Sequence, residues 1–262
     1  MPLTGLEILL YEKKDQIVYI TLNRPERMNA LSYDLGERLA AAWAQYNEDD
    51  DARVAIITGI GDRAFSAGMD LKDQAERAEA GGPDISELKQ SPTLGAGLEI
   101  HKPIIAAING LAIAGGFKLA MDCDIRIAAE HAEFGVAEVK VGRGTPWAVP
   151  MLWMVPFGVT LEIFMTGERI SAQRAYEIGF VNKVVPGSQL MSEATKMAEI
   201  LRDNAPLSVK AVKQMFYSAR DMGCTEALAM STDLWKPVYA SEDAQEGPRA
   251  FAQKRKPIWK GR

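Results

Sequence analysis

The sequence predicts a mixed α/β first part followed by an all-helical end. Three observations carry that expectation: a β, α, β order near the N-terminus, short fully apolar runs that recur farther along, and sustained helical periodicity toward the C-terminus.

Taken in order, Ile8-Leu9-Leu10-Tyr11-Glu12 and Ile17-Val18-Tyr19-Ile20-Thr21-Leu22 flank the polar Lys13-Lys14-Asp15-Gln16, which is the pattern of a β-hairpin. Residues 23–27 follow as a loop. Ser32 is placed to cap an amphipathic helix through Asn47, with Leu35, Leu39, Ala42, Trp43 and Tyr46 on one face. Val54-Ala55-Ile56-Ile57-Thr58 is a continuous apolar run before Gly59, as expected of a strand covered on both sides. This order suggests right-handed crossover units. Residues 73–97 are polar and rich in Gly, Pro and Ser, and are expected to be a mobile segment with a short helix. A second buried strand is expected at 103–110, a helix opening at Gly115-Gly116 and running through Met121, and a third strand at 125–129. From about Ser171 the pattern is helical, with helices expected at 192–203, 208–222, 225–235 and 242–254.

Composition narrows the function classes. The chain has 262 residues, 47% hydrophobic and 25% charged, enough apolar material for a substantial core. A net charge of −5 argues against a nucleic-acid partner. No apolar run reaches the roughly 18 residues that span a bilayer, so no membrane partner is expected. The start, Met1 to Glu7, lacks a basic region followed by an apolar stretch, so no signal peptide is expected. Cys123 and Cys224 stand far apart without CxxC or Cys/His spacing. Two reduced thiols in a cytoplasmic protein are expected, with neither a disulfide framework nor a zinc site. The basic tail from Lys254 to Arg262 is read either as a solvated helix end or as a contact for an anionic ligand.

Two segments carry candidate chemistry: Phe65-Ser66-Ala67-Gly68-Met69-Asp70-Leu71, and the run from Asn109 to Asp124 containing Ala114-Gly115-Gly116. In each, small residues permit close approach to the backbone, and the second begins a helix whose free N–H groups suit a developing negative charge. Two donors aimed at one oxygen would form an oxyanion hole. Glycine spacing alone favours tight turns and close helix–strand packing over a ligand site. Neither segment matches a dinucleotide fingerprint or a P-loop.

The stretch Ile104-Ile105-Ala106-Ala107-Ile108-Asn109-Gly110 with Ala114-Gly115-Gly116 and Cys123-Asp124 resembles the signature of the enoyl-CoA hydratase/isomerase (crotonase) superfamily. Asn23-Arg24-Pro25 with Asn29-Ala30-Leu31, Phe65 to Asp70, Phe134-Gly135 with Glu138, Thr166 to Ala172, and the tail Phe251 to Pro257 match in the same order. The resemblance implies an α/β fold, a crotonase-like spiral of ββα units with a C-terminal helical trimerisation region. Residues 1–190 would form the core with the acyl-CoA site, and residues 191–262 the helical region. It implies an acyl-CoA thioester as partner, a homotrimer or hexamer, and no cofactor beyond the CoA of the substrate. The thioester oxygen would sit between the Met69 and Gly115 N–H groups. The pantetheine arm would pass Ala67, Met69, Asp70, Leu71 and Lys72, and the adenosine end would lie near Arg27 and Ala30.

Hydratases of that family are expected to use two glutamates around a water. Glu138 fills the second position, whereas Lys118 occupies the first. Residue 118 is three beyond Gly115 and so shares its helix face. A lysine there could face the pocket, helping to hold an enolate, or turn away; paired with Glu138 it would lower that carboxylate's pKa. With Glu138 as the one proton-transfer residue, double-bond isomerisation rivals hydration. Related thioester hydrolases add an aspartate where this chain has Pro146. A non-catalytic acyl-CoA-binding paralogue is the contrasting expectation. Trp147 is a candidate for the acyl pocket and suggests a bulky or cyclic acyl group, although the Met- and Trp-rich run to Phe157 also fits core or subunit interface. Arg143 could bind a polar substrate end or lie on the surface. Asp122 and Asp124 lack a third metal ligand at suitable spacing, so Asp124 is expected to cap or bridge structure. His101, His131, Tyr176 and Tyr239 are given no catalytic role.

Overall fold

A computed structural model describes residues 8–82 and 99–262. Strands β1 (Leu9–Lys14) and β2 (Ile17–Leu22) form the expected hairpin. Its turn is Asp15-Gln16, both at positive φ (49° and 65°), the two-residue geometry that matches strand twist. Helix α1 (Tyr33–Glu48) follows, with Ser32 Oγ accepting from the Leu35 N–H at 3.3 Å. The predicted face is the buried one, and Tyr46 at its end donates to the Pro103 carbonyl at 2.8 Å.

The spiral arises because the chain contributes alternately to two sheets. Strands β3 (Val54–Gly59), β5 (Ile104–Ile108) and β7 (Ile125–Ala129) enter a six-stranded sheet of order β1-β2-β3-β5-β7-β10, where β10 is Lys183–Val185. Strands β4 (Ala64–Ser66), β6 (Leu111–Ile113) and β8 (Glu133–Gly135) enter a four-stranded sheet that β9 (Ile170–Ser171) closes antiparallel to β8. Helix α2 (Leu71–Glu79) follows β4, and α3 (Gly115–Met121) follows β6, giving successive ββα turns.

Both faces of the large sheet are buried, which is why its strands read as continuous apolar runs. Ala55, Ile57, Ile104, Ala106, Ile108 and Ala128 face one core with Leu35, Leu39 and Trp43. Val54, Ile56, Ile105, Ala107 and Ile127 face a second core covered by Leu190, Ala194 and Ala198 of α6 (Leu190–Asp203). Small residues on α6 let helix and sheet approach closely.

Several elements differ from expectation. The segment expected at 73–97 begins with α2, two residues earlier, because Asp70 caps that helix; residues 83–97 of it lie outside the described residues. Helix α4 (Phe157–Thr166) occupies unassigned sequence, while α5 (Ala172–Glu177) opens the region expected to be helical from about Ser171, which strand β10 then interrupts. Helices α7 (Pro206–Ala219), α8 (Cys224–Ala240) and α9 (Glu242–Ala252) stand where helices were expected at 208–222, 225–235 and 242–254, with shifted ends and with α8 continuing through Pro237. No helix among the described residues is long and apolar enough to cross a membrane.

Candidate active site

Three backbone segments meet beside the small sheet. After β4 the chain passes Gly68 at φ +86°, where a Cβ would lie 2.8 Å from the Ile113 carbonyl oxygen and 3.0 Å from the Gly115 nitrogen. Only glycine lets this turn press against the start of α3. Leu31 N–H donates to the Gly68 carbonyl at 2.7 Å, and Asp70 N–H donates to the Leu31 carbonyl at 3.0 Å, forming a single parallel bridge between Leu31 and Met69. In a trans peptide the C=O and the following N–H point in opposite directions. With the Gly68 C=O turned to Leu31, the Met69 N–H is therefore turned away from it.

The second segment is the start of α3. Ala114 has φ 51° and ψ −116°, a strained conformation for an L residue, and its N–H donates to the Gly135 carbonyl at 2.9 Å. A Cβ on Gly115 would stand 3.5 Å from Gly68 Cα and 3.6 Å from the Met69 nitrogen, so the two predicted donors are neighbours. Among the described residues, neither the Met69 nor the Gly115 N–H donates to a protein acceptor. Gly116 is held tighter still: its Cβ would fall 2.2 Å from the Ser66 carbonyl oxygen.

The bond from Ala114 to Gly135 brings in the third segment. Three residues beyond Gly135, Glu138 opens a 3-10 turn (Glu138–Val141). Its Oε2 is buried without a hydrogen-bond partner. Burial raises its pKa, partly offset by its own backbone N–H, and so keeps it closer to the neutral form than an ordinary carboxylate.

Lys118 does not pair with Glu138. Its ammonium lies 2.5 Å from Asp122 Oδ2, one turn along α3, and the aspartate is buried. Of the two arrangements left open by the sequence, the cation is drawn toward the far end of its own helix. Asp124 serves structure: its carboxylate accepts from the Ile104 N–H at 2.7 Å, Lys213 Nζ at 2.8 Å and the Tyr217 hydroxyl at 3.1 Å. Among the described residues no group of three or more His, Cys, Asp or Glu is gathered as a metal site would require.

The remaining predicted contacts are distributed around this centre. Ala67 is half-buried, with its N–H on the Met28 carbonyl at 3.0 Å, while Met69, Leu71, Lys72 and Arg27 are exposed. Ala30 and Asp70 are buried and already engaged. Arg24 donates to the Ala30 carbonyl at 2.5 Å and to Asp70 Oδ2 at 2.8 Å, and Asp70 also caps α2. Burial acts to raise the Asp70 pKa, but Arg24 and backbone N–H groups outweigh it and leave it lowered. A cleft of about 330 Å³ opens between the loops carrying Met28 and Asn29 and those carrying Ile60 to Ala64. Trp147 is half-buried, its ring 6.4 Å from Phe117 and 6.0 Å from Phe164. Beyond it, Met151 is buried whereas Trp153 and Phe157 are exposed. Arg143 is exposed.

Sequence reasoning missed the polar residues that hold these loops. Asn29 Nδ2 donates to the Ala64 carbonyl at 2.7 Å, and Asn109 Nδ2 donates to the Gly61 carbonyl at 2.8 Å while its Oδ1 accepts from the Gly59 N–H. An asparagine ending an apolar strand is a signal for such a role, because a buried amide must find partners.

The family model described as Enoyl-CoA hydratase/isomerase matches residues 12–262. The chain is 38% identical over 254 residues to the (E)-benzylidenesuccinyl-CoA hydratase of Thauera aromatica, covering 95% of this chain and 98% of that protein. It is 39% identical to the carnitinyl-CoA dehydratase of Salmonella typhi, covering 98% and 99%. An enoyl-CoA hydratase structure from Mycobacterium tuberculosis H37Rv superposes with a TM-score of 0.88 at 34% identity, covering 97% of this chain and 99% of the other. One from Bacillus anthracis gives 0.89 at 33% identity, covering 98% and 100%.

Proposed function

The chain belongs to the enoyl-CoA hydratase/isomerase family, the crotonase superfamily, and from that premise we propose an acyl-CoA hydratase in which Glu138 alone moves the protons. The observation that carries this reading is the buried, unpartnered Oε2 of Glu138, three residues beyond the Gly135 carbonyl that Ala114 binds; Ala114 leads into Gly115, whose amide, like that of Met69, has no protein acceptor among the described residues. In the proposed reaction the thioester oxygen accepts from the Met69 and Gly115 N–H groups. Glu138 takes a proton from water as the water oxygen bonds to C3. The C2=C3 π pair moves to the thioester as an enolate, and Glu138 then returns the proton to C2. The reverse sequence removes water. Holding the enolate oxygen with fixed donors is commonly a large catalytic term.

The relatives' hydratase and dehydratase names support water chemistry. A second reading is favoured by Lys118, which stands where a second carboxylate would be expected and is itself held by Asp122. One base is enough to take a proton from one carbon and return it to another, so double-bond isomerisation is the rival. Trp147, half-buried against the core residues Phe117 and Phe164, is kept in the proposal as a wall for a bulky or cyclic acyl group. The adenosine end is proposed to lie by Arg27 and Ala30, and the pantetheine arm to run past Met69 toward Lys72. We extend the proposal to a cytoplasmic homotrimer or hexamer, with exposed Val212, Phe216, Leu228 and Tyr239 on α7 and α8 as apolar material for self-association.

The test is incubation with a panel of 2-enoyl-, 3-enoyl- and cyclic dienoyl-CoA thioesters, following products by mass. A gain of one water supports hydration. An unchanged mass with an altered ultraviolet spectrum supports isomerisation. No reaction with any of them counts against the proposal.

A further inference from the structure

We infer that Arg24 is a positioning residue for the Met69 N–H, a clip that sets the direction of that donor from the opposite side of the Leu31–Met69 bridge. The inference rests on the reading of Met69 as an oxyanion donor. Its basis is the order of residues around the bridge. Ala30 precedes Leu31 and Asp70 follows Met69, and the Arg24 guanidinium holds both, the carbonyl of the first at 2.5 Å and the carboxylate of the second at 2.8 Å.

The consequence for the donor follows from peptide geometry. The Gly68 C=O and the Met69 N–H lie in one plane, so tilting that plane moves both. The plane is fixed at one edge by the Leu31 N–H and at the next residue by the bond from Asp70 N–H to the Leu31 carbonyl. Arg24 controls where Leu31 and Asp70 sit relative to one another, and so controls the tilt. Arg24 is itself anchored. Its N–H donates to Asn29 Oδ1 at 3.0 Å, and Asn29 Nδ2 reaches Ala64 at the start of β4, closing a ring of contacts through Met69. The pair is largely buried, with side-chain exposures of 14% and 9%.

A simple surface brace would need only charge. Here two nitrogens of one plane reach the two acceptors separately and so fix their spacing, whereas a lysine would have to reach both from a single nitrogen. Displacement of a catalytic group by about 1 Å can cost about 100-fold in rate. Arg24 touches no reacting atom in this scheme; its effect passes through the tilt of one peptide.

The experiment compares wild type with Arg24→Lys, Arg24→Gln and Asp70→Asn, confirming folding by circular dichroism. Three quantities are measured: kcat and KM on the thioester turned over, affinity for free CoA, and the infrared frequency of the carbonyl of bound acetyl-CoA carrying ¹³C at the thioester carbon. In wild type the bound carbonyl moves to lower frequency. In Arg24→Lys the shift shrinks, kcat falls about 10- to 100-fold, and CoA affinity stays within about twofold. Arg24→Gln and Asp70→Asn behave alike, and Arg24→Lys carries the test if a neutral variant does not fold. A full carbonyl shift and full kcat in Arg24→Lys would overturn the positioning role while leaving the oxyanion reading intact. A parallel loss of CoA affinity and kcat would overturn it too, as general loosening of the loop. No shift in saturated wild type would remove the oxyanion reading itself.

Discussion

Lys118 Nζ and Asp122 Oδ2 stand 2.5 Å apart, one helical turn from each other, on the helix that begins at Gly115. The aspartate is 5% exposed and the lysine 30%, so the pair neutralises a buried carboxylate from a partly solvated position. The cation that could have quenched Glu138 is thereby committed elsewhere.

The first prediction concerns that pair. Lys118→Met leaves Asp122 buried without its ammonium and should destabilise the fold by about 1–3 kcal/mol, read by denaturant unfolding. Adding Asp122→Asn should recover part of the loss. The acid limb of the pH–rate profile should stay where it is in Lys118→Met, because Lys118 does not set the Glu138 pKa. A limb that moves upward would show that the lysine does act on Glu138. Lys118→Glu places a second carboxylate beside Asp122 and should unfold more readily than Lys118→Met.

Glu138→Gln should lower turnover by about 10²- to 10⁴-fold while acyl-CoA affinity is retained. The same change should raise the melting temperature near neutral pH. The sign follows from the raised folded-state pKa: charging Glu138 costs more in the folded chain than in the unfolded one. Stability from this group is therefore greatest below its unfolded pKa and declines as pH rises toward the folded value. The gain in Glu138→Gln should accordingly vanish in acid. Melting curves in acid and at neutral pH check it.

Gly116→Ala drives a Cβ to within 2.2 Å of the Ser66 carbonyl oxygen, a backbone atom that cannot swing aside. It should cost about 1–3 kcal/mol of stability and lower kcat by moving α3 off β4. Gly115→Ala is a milder test, since its Cβ meets Leu31 Cδ1 at 3.4 Å. Equal effects of the two substitutions on stability would contradict this ranking.

Ala114→Gly should stabilise the fold by about 1 kcal/mol, the relief of a positive-φ alanine exceeding the added freedom of the unfolded chain. If the strain helps aim the Gly115 N–H, kcat should fall in the same variant. Thermal unfolding and steady-state kinetics on one preparation separate the two effects.

Much of the larger sheet was legible because each signal was local. Ser32 before the Leu35, Leu39, Ala42 pattern marks a capped helix, and Val54 to Thr58 marks a strand with two covered faces. The smaller sheet was not legible as a sheet. Its strands Ala64–Ser66, Leu111–Ile113 and Glu133–Gly135 have three residues each, too few for a period of two to show. At the site, Met69, Gly115 and Glu138 were singled out by their motifs. The direction of Lys118 and the double engagement of Arg24 were not, because both depend on partners chosen in three dimensions. Asp70 illustrates the difference: its position in the motif suggests a substrate contact, whereas its carboxylate is occupied by Arg24 and the start of α2.

Asp124 joins parts of the chain that are made at different times. Its carboxylate binds Ile104, twenty residues earlier, and Lys213 and Tyr217, about ninety residues later. A nascent chain that has made β5 and β7 holds this acceptor with one partner only until α7 leaves the ribosome. The half-made protein therefore carries a carboxylate that favours water over closure, and α7 covers the starts of β5 and β7 when it arrives. Synthesis that stops before residue 213 should yield a product open at the starts of β5 and β7 and readily cleaved by proteases.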